Sequence, residues 1–297
     1  MIHVQLPQCV RCCQPPQPGR ASLGYAAGGP ADRTSAAWAN ATLGNDLQAP
    51  IMECTLAANS IVFESDTQIA WAGAPFAVSI DEHTLPPPRQ KTAVLAGQTV
   101  RLQPGPWGAR VYLAVLGGWQ TSRAAQTNQA TPTNSADIGS TMTYATDLNC
   151  APVNLPDHRQ LLAWLPRRGH LRVTEAPETP VDWHPTEIFR VSTASNAHGI
   201  RFTGPAPELE TYDILSGPVI DGTIQATPDG LIALLRDRQT VGGYPRIAQI
   251  IPSDVDLAAQ LRPGDAIHID VIDLATSHSI TKAYQDSFHA LRNQTMR

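Results

Sequence analysis

Charge is scarce in this chain of 297 residues: Asp, Glu, Lys and Arg make up 16% of it, against about 25% in an average globular domain. Lysine is nearly missing, with Lys91 and Lys282 the only two. With a net charge of −5 and no basic stripe, nucleic acid is excluded as an expected partner. No apolar run approaches the roughly 20 residues that a membrane helix requires. The N-terminus lacks the continuous apolar stretch of a signal peptide. No membrane partner is expected, and a cytoplasmic location is. Cysteine is sparse and odd in number (Cys9, Cys12, Cys13, Cys54 and Cys150), which does not read as a disulfide framework. The Cys9, Cys12, Cys13 cluster has no second CxxC to complete four zinc ligands, so no metal site is expected. Also absent are a glycine-rich phosphate loop of the GxxxxGK type, an HExxH and a GxSxG. The Ser277-His278-Ser279 run near Asp273 does not make a triad, because sequence adjacency does not build that geometry.

What is present is turn-formers and short apolar stretches. The 26 prolines and 21 glycines impose frequent turns, which favours a strand-rich fold over a helical bundle. Strands are expected at 61–63, 69–71, 76–80, 99–102 and 110–115, and again at 171–173, 188–191, 223–226, 232–235, 249–251 and 266–272. A first helix is predicted from Ser35 to Leu43, capped by Thr34 or Ser35 and stopped by Gly44. A second should start at Ser253, with Asp256 completing a capping-box-like arrangement, and end at Pro263-Gly264. Ile280, Tyr284, Phe288 and Leu291 recur at helical spacing and predict an amphipathic C-terminal helix that docks on the body.

These signals divide the chain into an irregular N-terminal segment (1–24), a first β-domain (25–119), a polar loop or mobile segment (120–150), a connecting β segment (151–185) and a second β-domain with a C-terminal helix (186–297). A weak internal echo links Leu95–Leu102 to Leu261–Ile269 and Pro166–Val173. Each is a glycine turn feeding a strand, which mildly supports two similar β-units.

The densest polar stretch runs from Gly222 to Ile251. There a strand delivers Asp237, Arg238, Gln239 and Thr240 into a glycine pair, Gly242-Gly243, followed by Tyr244. Glycines allow close backbone approach to a ligand. Arg238 offers a planar fork for a carboxylate or phosphate, and Asp237 can accept a proton. Gln239 and Thr240 suit an amide-bearing substrate. A tight loop held by an Asp–Arg pair explains the same residues equally well.

This stretch, from Gly222-Thr223-Ile224-Gln225 through Asp237-Arg238-Gln239-Thr240-Val241-Gly242-Gly243-Tyr244-Pro245-Arg246, resembles the signature of the biotin-dependent carboxyltransferase family, also called allophanate hydrolase subunit 2. Ser195-Asn196, Gly199, Arg201 and Gly204 resemble its SNRMGYRLxG motif, and Leu261–Asp265 its LRPGD turn. Gly28–Arg33 and Ala39–Asn45 resemble its GGAMD…AN.LVGN stretch. Ala114–Gly118 resembles its AVAGG strand end. Three departures stand out. Val4-Gln5 does not continue into the family's VQDxGRxG opening, no GSRSTD motif follows Gly118, and Ala197-His198 replaces Arg-Met.

The resemblance implies a mainly β fold with a few short helices, organised as two cyclophilin-like β-barrel domains. It implies a partner, the family's subunit 1 (the B subunit), and, for the C subunit of a 5-oxoprolinase, an A subunit as well. The reaction would then be ATP-dependent hydrolysis of the 5-oxoproline lactam to glutamate, with ATP and Mg acting at the level of the complex. The alternative is transfer of a carboxyl group from a partner's carboxybiotin to urea or a related amide. The sequence carries no Met-Lys-Met biotin-attachment motif, and the hydrolase reading is placed first. A third reading, favoured by the departures, is a non-catalytic regulator that binds subunit 1. The implied catalytic residues are Asp237 and Arg238. The implied substrate-binding residues are Gln225, Gln239, Thr240, Gly242, Gly243, Tyr244, Asn196 and Arg201, with Asp32, Arg33 and Asn40 in a first-half site.

Overall fold

The computed structural model describes residues 10–86, 91–120, 169–181, 183, 185–205 and 207–295. It divides into two compact units, one built mainly from Gly28–Asp157 and the other mainly from His158–Ser287. Both are dominated by β-structure.

In the first unit, β1 (Val10–Cys13), β2 (Ile51–Thr55), β9 (Arg110–Val115), β4 (Thr67–Gly73) and β7 (Thr92–Val94) form a five-stranded sheet in that order. A second, four-stranded sheet has the order β3 (Asn59–Val62), β8 (Thr99–Gln103), β5 (Ala77–Ile80), β6 (His83–Thr84). Alternation along the strands explains the layering. Val111, Leu113 and Val115 of β9 join Met52, Ile61, Ile69, Val78, Val100 and Leu102 in one core shared by both sheets. Tyr112 and Ala114, the alternate residues, face the other way, toward α1 (Arg33–Thr42). The contact there is made by small residues: Ala36 and Ala39 of the helix, Ala70 and Ala114 of the sheet.

α1 begins at Arg33, ahead of the expected Ser35. Its N-cap is Asp32, not Thr34 or Ser35; the carboxylate accepts from the Ser35 amide at 2.9 Å and the Ser35 hydroxyl at 2.6 Å. A carboxylate is a strong N-cap because it satisfies free amides and faces the positive end of the helix.

A buried carboxylate ties the segment before α1 to the sheet. Glu53 lies opposite Arg11 on β1 and Tyr112 on β9. Its oxygens accept from Arg11 Nε at 2.8 Å, the Ala31 amide at 3.0 Å and Tyr112 Oη at 2.8 Å. Tyr112 Oη in turn accepts from the Asp32 amide at 2.8 Å. Burial acts to raise the Glu53 pKa, but Arg11 and Arg110 overcome it and hold the group at about 2. Burial, with Glu53 and Asp32 nearby, pushes the Tyr112 phenol well above its ordinary range, so it remains a donor. Arg11 thereby makes β1 a sheet strand within a segment expected to be irregular.

The second unit contains the expected barrel. β10 (His170–Glu175), β17 (Arg246–Ile250), β14 (Thr223–Thr227), β15 (Gly230–Leu234), β12 (Gly199–Thr203), β11 (Phe189–Val191) and β18 (Ala266–Val271) close in that order. Closure is made by the parallel pairing of β10 with β18, from His170↔His268 to Val173↔Val271. β10 belongs to this barrel although its sequence lies in the expected connecting segment. The polar stretch 121–150 and most of that connecting segment lie outside the described residues.

Two helices accompany these strands, and the second belongs to this unit only as far as Ser287. α2 (Pro252–Ala258) starts with proline at its first turn and has no side-chain cap. The expected capping box is not formed. Asp256 is engaged elsewhere, and Asp254 holds Arg172 of β10 in a bidentate pair, with bonds of 3.0 and 2.6 Å. α3 (Leu274–Thr295) is the predicted C-terminal helix, with Tyr284 and Leu291 buried. Asp273, just before it, accepts from the Thr276 amide at 2.7 Å; this is a capping role.

The internal echo is real at the level of hydrogen bonds. Gly97 (φ +87°) and Gly264 (φ +89°) adopt the same left-handed turn. Gly97 N donates to Phe63 O and Phe63 N to Gln98 O; likewise Gly264 N donates to Val191 O and Val191 N to Asp265 O. The Gln98 and Asp265 side chains each accept from the amide three residues before them, both at 2.8 Å. In the first unit, however, the described strands form two sheets and not one closed barrel.

Two outcomes are expected. Asp32→Ala should cost about 1 kcal/mol of stability in urea unfolding, the typical loss of an N-cap. Glu53 has its pKa lowered from 4.5 to about 2 on folding, so its contribution is present above pH 4.5 and is lost as pH falls toward 2. Glu53→Gln should flatten the acid limb of a stability–pH profile over that window and lower neutral-pH stability by about 3 kcal/mol.

Candidate active site at one end of the barrel

Strand direction gathers the motif segments. β12 begins at Gly199 opposite Leu234, where β15 ends. β14 begins at Thr223 opposite Gln249, one residue before β17 ends. β18 begins at Ala266 opposite Arg190, one residue before β11 ends. The turn 192–198, the approach to β14 at 219–222, the loop after β15 and the Leu261–Asp265 turn therefore share one end of the barrel. Cross-links confirm the grouping: Leu235 N donates to His198 O at 2.8 Å, and Gly222 N to Leu234 O at 2.7 Å.

Four charged residues meet there. Asp221 Oδ1 takes Nε of Arg238 at 3.0 Å, and its Oδ2 takes Nη1 of Arg236 at 3.2 Å. Arg236 Nη2 reaches Asp256 Oδ1 at 2.6 Å, and Asp256 Oδ2 accepts from Tyr284 Oη at 2.9 Å. Burial opposes the Arg236 charge, but Asp256, Tyr284 and Asp221 outweigh it and raise its pKa above the ordinary arginine value. Arg238 is 7% exposed. Its Nη1 donates to Gln239 O at 3.0 Å, and its Nη2 makes no hydrogen bond to a described residue. A buried guanidinium with one open nitrogen suits a carboxylate, phosphate or developing oxyanion.

The other expected site residues are placed as follows. Asp237 is half-buried beside Arg238, whose carboxylate partner is Asp221 and not this neighbour. Gln239 is exposed. Thr240 is buried and its carbonyl accepts from Val219 N. Gln225, 1% exposed, donates from its amide to Tyr244 O at 3.0 Å. It holds the segment after β15 against β14, where Gly242 leaves room for it: a Cβ on Gly242 would lie 2.6 Å from Gln225 Nε2. Gly242 in β16 (Val241–Gly242) pairs with Gly217 in β13 (Gly217–Pro218), and Gly243 O accepts from Ile214 N. Tyr244 is 43% exposed. Asn196 closes the 192–198 turn, its Oδ1 accepting from the His198 and Gly199 amides. Arg201 projects from β12 and is exposed.

In the first unit Asp32 is the N-cap of α1 and Arg33 is half-buried. Asn40 is fully buried. Its Nδ2 donates to Ala49 O at 2.9 Å and its Oδ1 accepts from Asn45 Nδ2 at 3.1 Å, while Asn45 binds Val115 O and Gly117 N. Asp32 and Asn40 thus have roles in holding helix and strand end in place.

Sequence reasoning missed Asp221, Arg236, Asp256 and Tyr284. Arg236 and Asp221 flank the motif and carried a weak signal; Asp256 and Tyr284 come from helices, where the sequence pattern suggests a cap and an apolar stripe. Among the described residues, no group of three His, Cys, Asp or Glu side chains is arranged to hold a metal ion, and no helix is long and apolar enough to cross a membrane.

The barrel end carries Asp237-Arg238-Gln239-Thr240, and the chain runs on through Gly242-Gly243 alongside β14; this is the stretch that resembles the carboxyltransferase signature. Residues 23–270 match the family described as carboxyltransferase domain, subdomain A and B, and the chain belongs to it. It is 27% identical over 258 residues to the 5-oxoprolinase C subunit of Haemophilus influenzae, covering 83% of this chain and 82% of that one. It is 29% identical over 242 residues to the 5-oxoprolinase C subunit of Escherichia coli, covering 77% of each. Similarity to urea amidolyase of Saccharomyces cerevisiae is 23% identity over 94% of this chain, but 17% of that protein. The crystal structure of TTHA0988 superposes with a TM-score of 0.75 at 26% identity over 92% of this chain, which spans 56% of that one. The Kluyveromyces lactis urea carboxylase shares the fold, with a TM-score of 0.81 at 19% identity over 99% of this chain and 29% of that protein.

The Gly242–Gln225 contact predicts coupling. Gly242→Ala should destabilise by about 1–3 kcal/mol, the usual cost of overpacking. In a Gln225→Ala background the same change should cost less than half as much, measured as a double-mutant cycle in urea.

Proposed function

We propose that this chain acts as the C subunit of an ATP-dependent 5-oxoprolinase-type complex in the cytoplasm, opening the 5-oxoproline lactam to glutamate together with subunit 1 (the B subunit) and an A subunit. The observation that carries the reading is the open Nη2 of the buried Arg238, set beside Asp237 and the exposed amide of Gln239. Support comes also from the two 5-oxoprolinase C subunits matched over 82% and 77% of their lengths.

A lactam is resonance-stabilised, and water attacks it slowly until negative charge on its oxygen is stabilised or that oxygen is phosphorylated. Arg238 is suited to hold such charge in a site of low dielectric, where a fixed donor is worth more than in water. Asp237 is suited to orient the ring N–H or to take a proton, and Gln239 to hydrogen-bond the lactam amide. ATP is a co-substrate of the complex, and Mg²⁺ would arrive bound to the nucleotide's phosphates.

A second reading is favoured by the family description and the urea amidolyase relative. In it a partner's carboxybiotin donates its carboxyl group to urea or a related amide, and the same residues grip the amide.

The test is co-expression with the B and A partners, followed by glutamate release from 5-oxoproline with and without ATP. Release that depends on ATP and falls on the order of a hundredfold in Arg238→Ala is expected, the size typical of a lost oxyanion donor. A complex that assembles but releases no glutamate overturns the hydrolase reading. Carboxylation of urea by added carboxybiotin would then identify the transferase, and silence in both assays a non-catalytic regulator of subunit 1.

A further inference from the structure

We propose that Asp221 is the positioning residue of this site: it fixes the guanidinium plane of Arg238 and so aims the open Nη2 at the substrate. The proposal rests on the reading of Arg238 as the group that meets substrate charge. Asp221 lies outside the Asp237–Ile247 run and arrives from the other strand connection.

A planar fork is oriented when it is held at more than one nitrogen. Arg238 is held at Nε by Asp221 Oδ1, 3.0 Å, and at Nη1 by the carbonyl of Gln239, 3.0 Å. The Gln239 bond comes from the next residue and moves with the loop. The Asp221 bond is the one that ties the fork to the barrel. Asp221 is itself immobilised on both sides. Its backbone carbonyl accepts from Gln249 Nε2 at 2.8 Å. Gly222, at φ +84°, follows it in a space where a Cβ would lie 2.9 Å from Gln249 Nε2, Ile250 O and Val255 Cγ2. Its second oxygen is taken by Arg236, which Asp256 and Tyr284 hold from behind.

The charges also matter. Arg236 lies between Asp221 and Asp256, so Asp221 is shared by two guanidinium groups. A shared carboxylate neutralises Arg238 less completely than a dedicated bidentate partner would. Arg238 therefore keeps both an open donor and residual positive charge, and its direction is set by a group that does not touch substrate.

The experiment uses the assembled complex and the variants Asp221→Asn, Arg238→Ala and the double variant, with Asp221→Glu as the form that keeps the charge and the pairing of Arg236 if Asp221→Asn does not fold. Expected for Asp221→Asn is a fall in kcat on the order of tenfold to a hundredfold with the 5-oxoproline KM changed less than about twofold, since only transition-state stabilisation is lost. In the Arg238→Ala background the same change should add less than about twofold, because Asp221 acts through Arg238. A readout free of turnover is the rate at which phenylglyoxal modifies Arg238, followed by peptide mass. Releasing the fork should raise that rate at least about fivefold in Asp221→Asn. Full kcat with an unchanged modification rate, or effects of the two single variants that simply multiply, would overturn the proposal. If Arg238→Ala proves fully active, the functional reading of the loop fails instead, while the modification rate still decides whether Asp221 positions Arg238.

Discussion

Arg236 cannot be buried without carboxylates on both sides, and the candidate site is built around that requirement. Moving a guanidinium out of water costs several kcal/mol, which is recovered only with well-placed counter-charges and hydrogen bonds. Asp221 comes from the approach to β14, Asp256 from α2 and Tyr284 from α3, so satisfying one arginine brings three separate elements to the end of β15. The neighbouring Arg238 inherits a fixed partner from that arrangement. α2 is further held by Asp254, whose bidentate pair with Arg172 ties it to β10. The charged groups of this barrel end are thus held mainly by one another.

The first unit solves a similar problem with the signs reversed. Glu53 is a buried carboxylate between Arg11, Arg110 and Tyr112, and it orders the segment that leads into α1. Asp32 and Asn40 then serve as cap and clamp. In each unit one segment that resembles a family motif is tied down by a buried ion: Ala31 by Glu53 in the first, and the start of the loop after β15 by Arg236 in the second. The shared turn at Gly97 and Gly264, with its matching pattern of amide and side-chain bonds, shows that the two units also reuse a local solution for entering a strand.

This organisation sorts the side chains of the motif by exposure. The loop after β15 crosses β14 with Gln225 underneath it, and Gly242 allows that close contact. Residues facing inward, such as Gln225 and Thr240, shape the loop. Residues facing outward or half-buried, such as Asp237, Gln239 and Tyr244, together with the open edge of Arg238, are those that can meet a substrate. A motif that is continuous in sequence is therefore divided between buried side chains and accessible ones.

Most strands were legible in the sequence, because alternating apolar residues between glycine and proline turns leave few other structures; β9, β14 and β18 fall where the pattern places them. The C-terminal helix was legible for the same reason, from the spacing of Ile280, Tyr284, Phe288 and Leu291. Helix starts were less so. Asp32 caps α1 where local propensity pointed to Thr34 or Ser35, and α2 starts at Pro252 without the Ser253–Asp256 capping box, because Asp256 is taken by Arg236. The sequence alone determined the class of fold and the family resemblance, both of which depend on residues close together in the chain. Only the tertiary structure decided that Arg238 pairs with Asp221, that Tyr284 supports a charge as well as filling a core position, and that Asn40 and Gln225 hold backbone. Those assignments depend on which distant groups share a dry environment, and burial there makes every polar atom's partner a matter of folding.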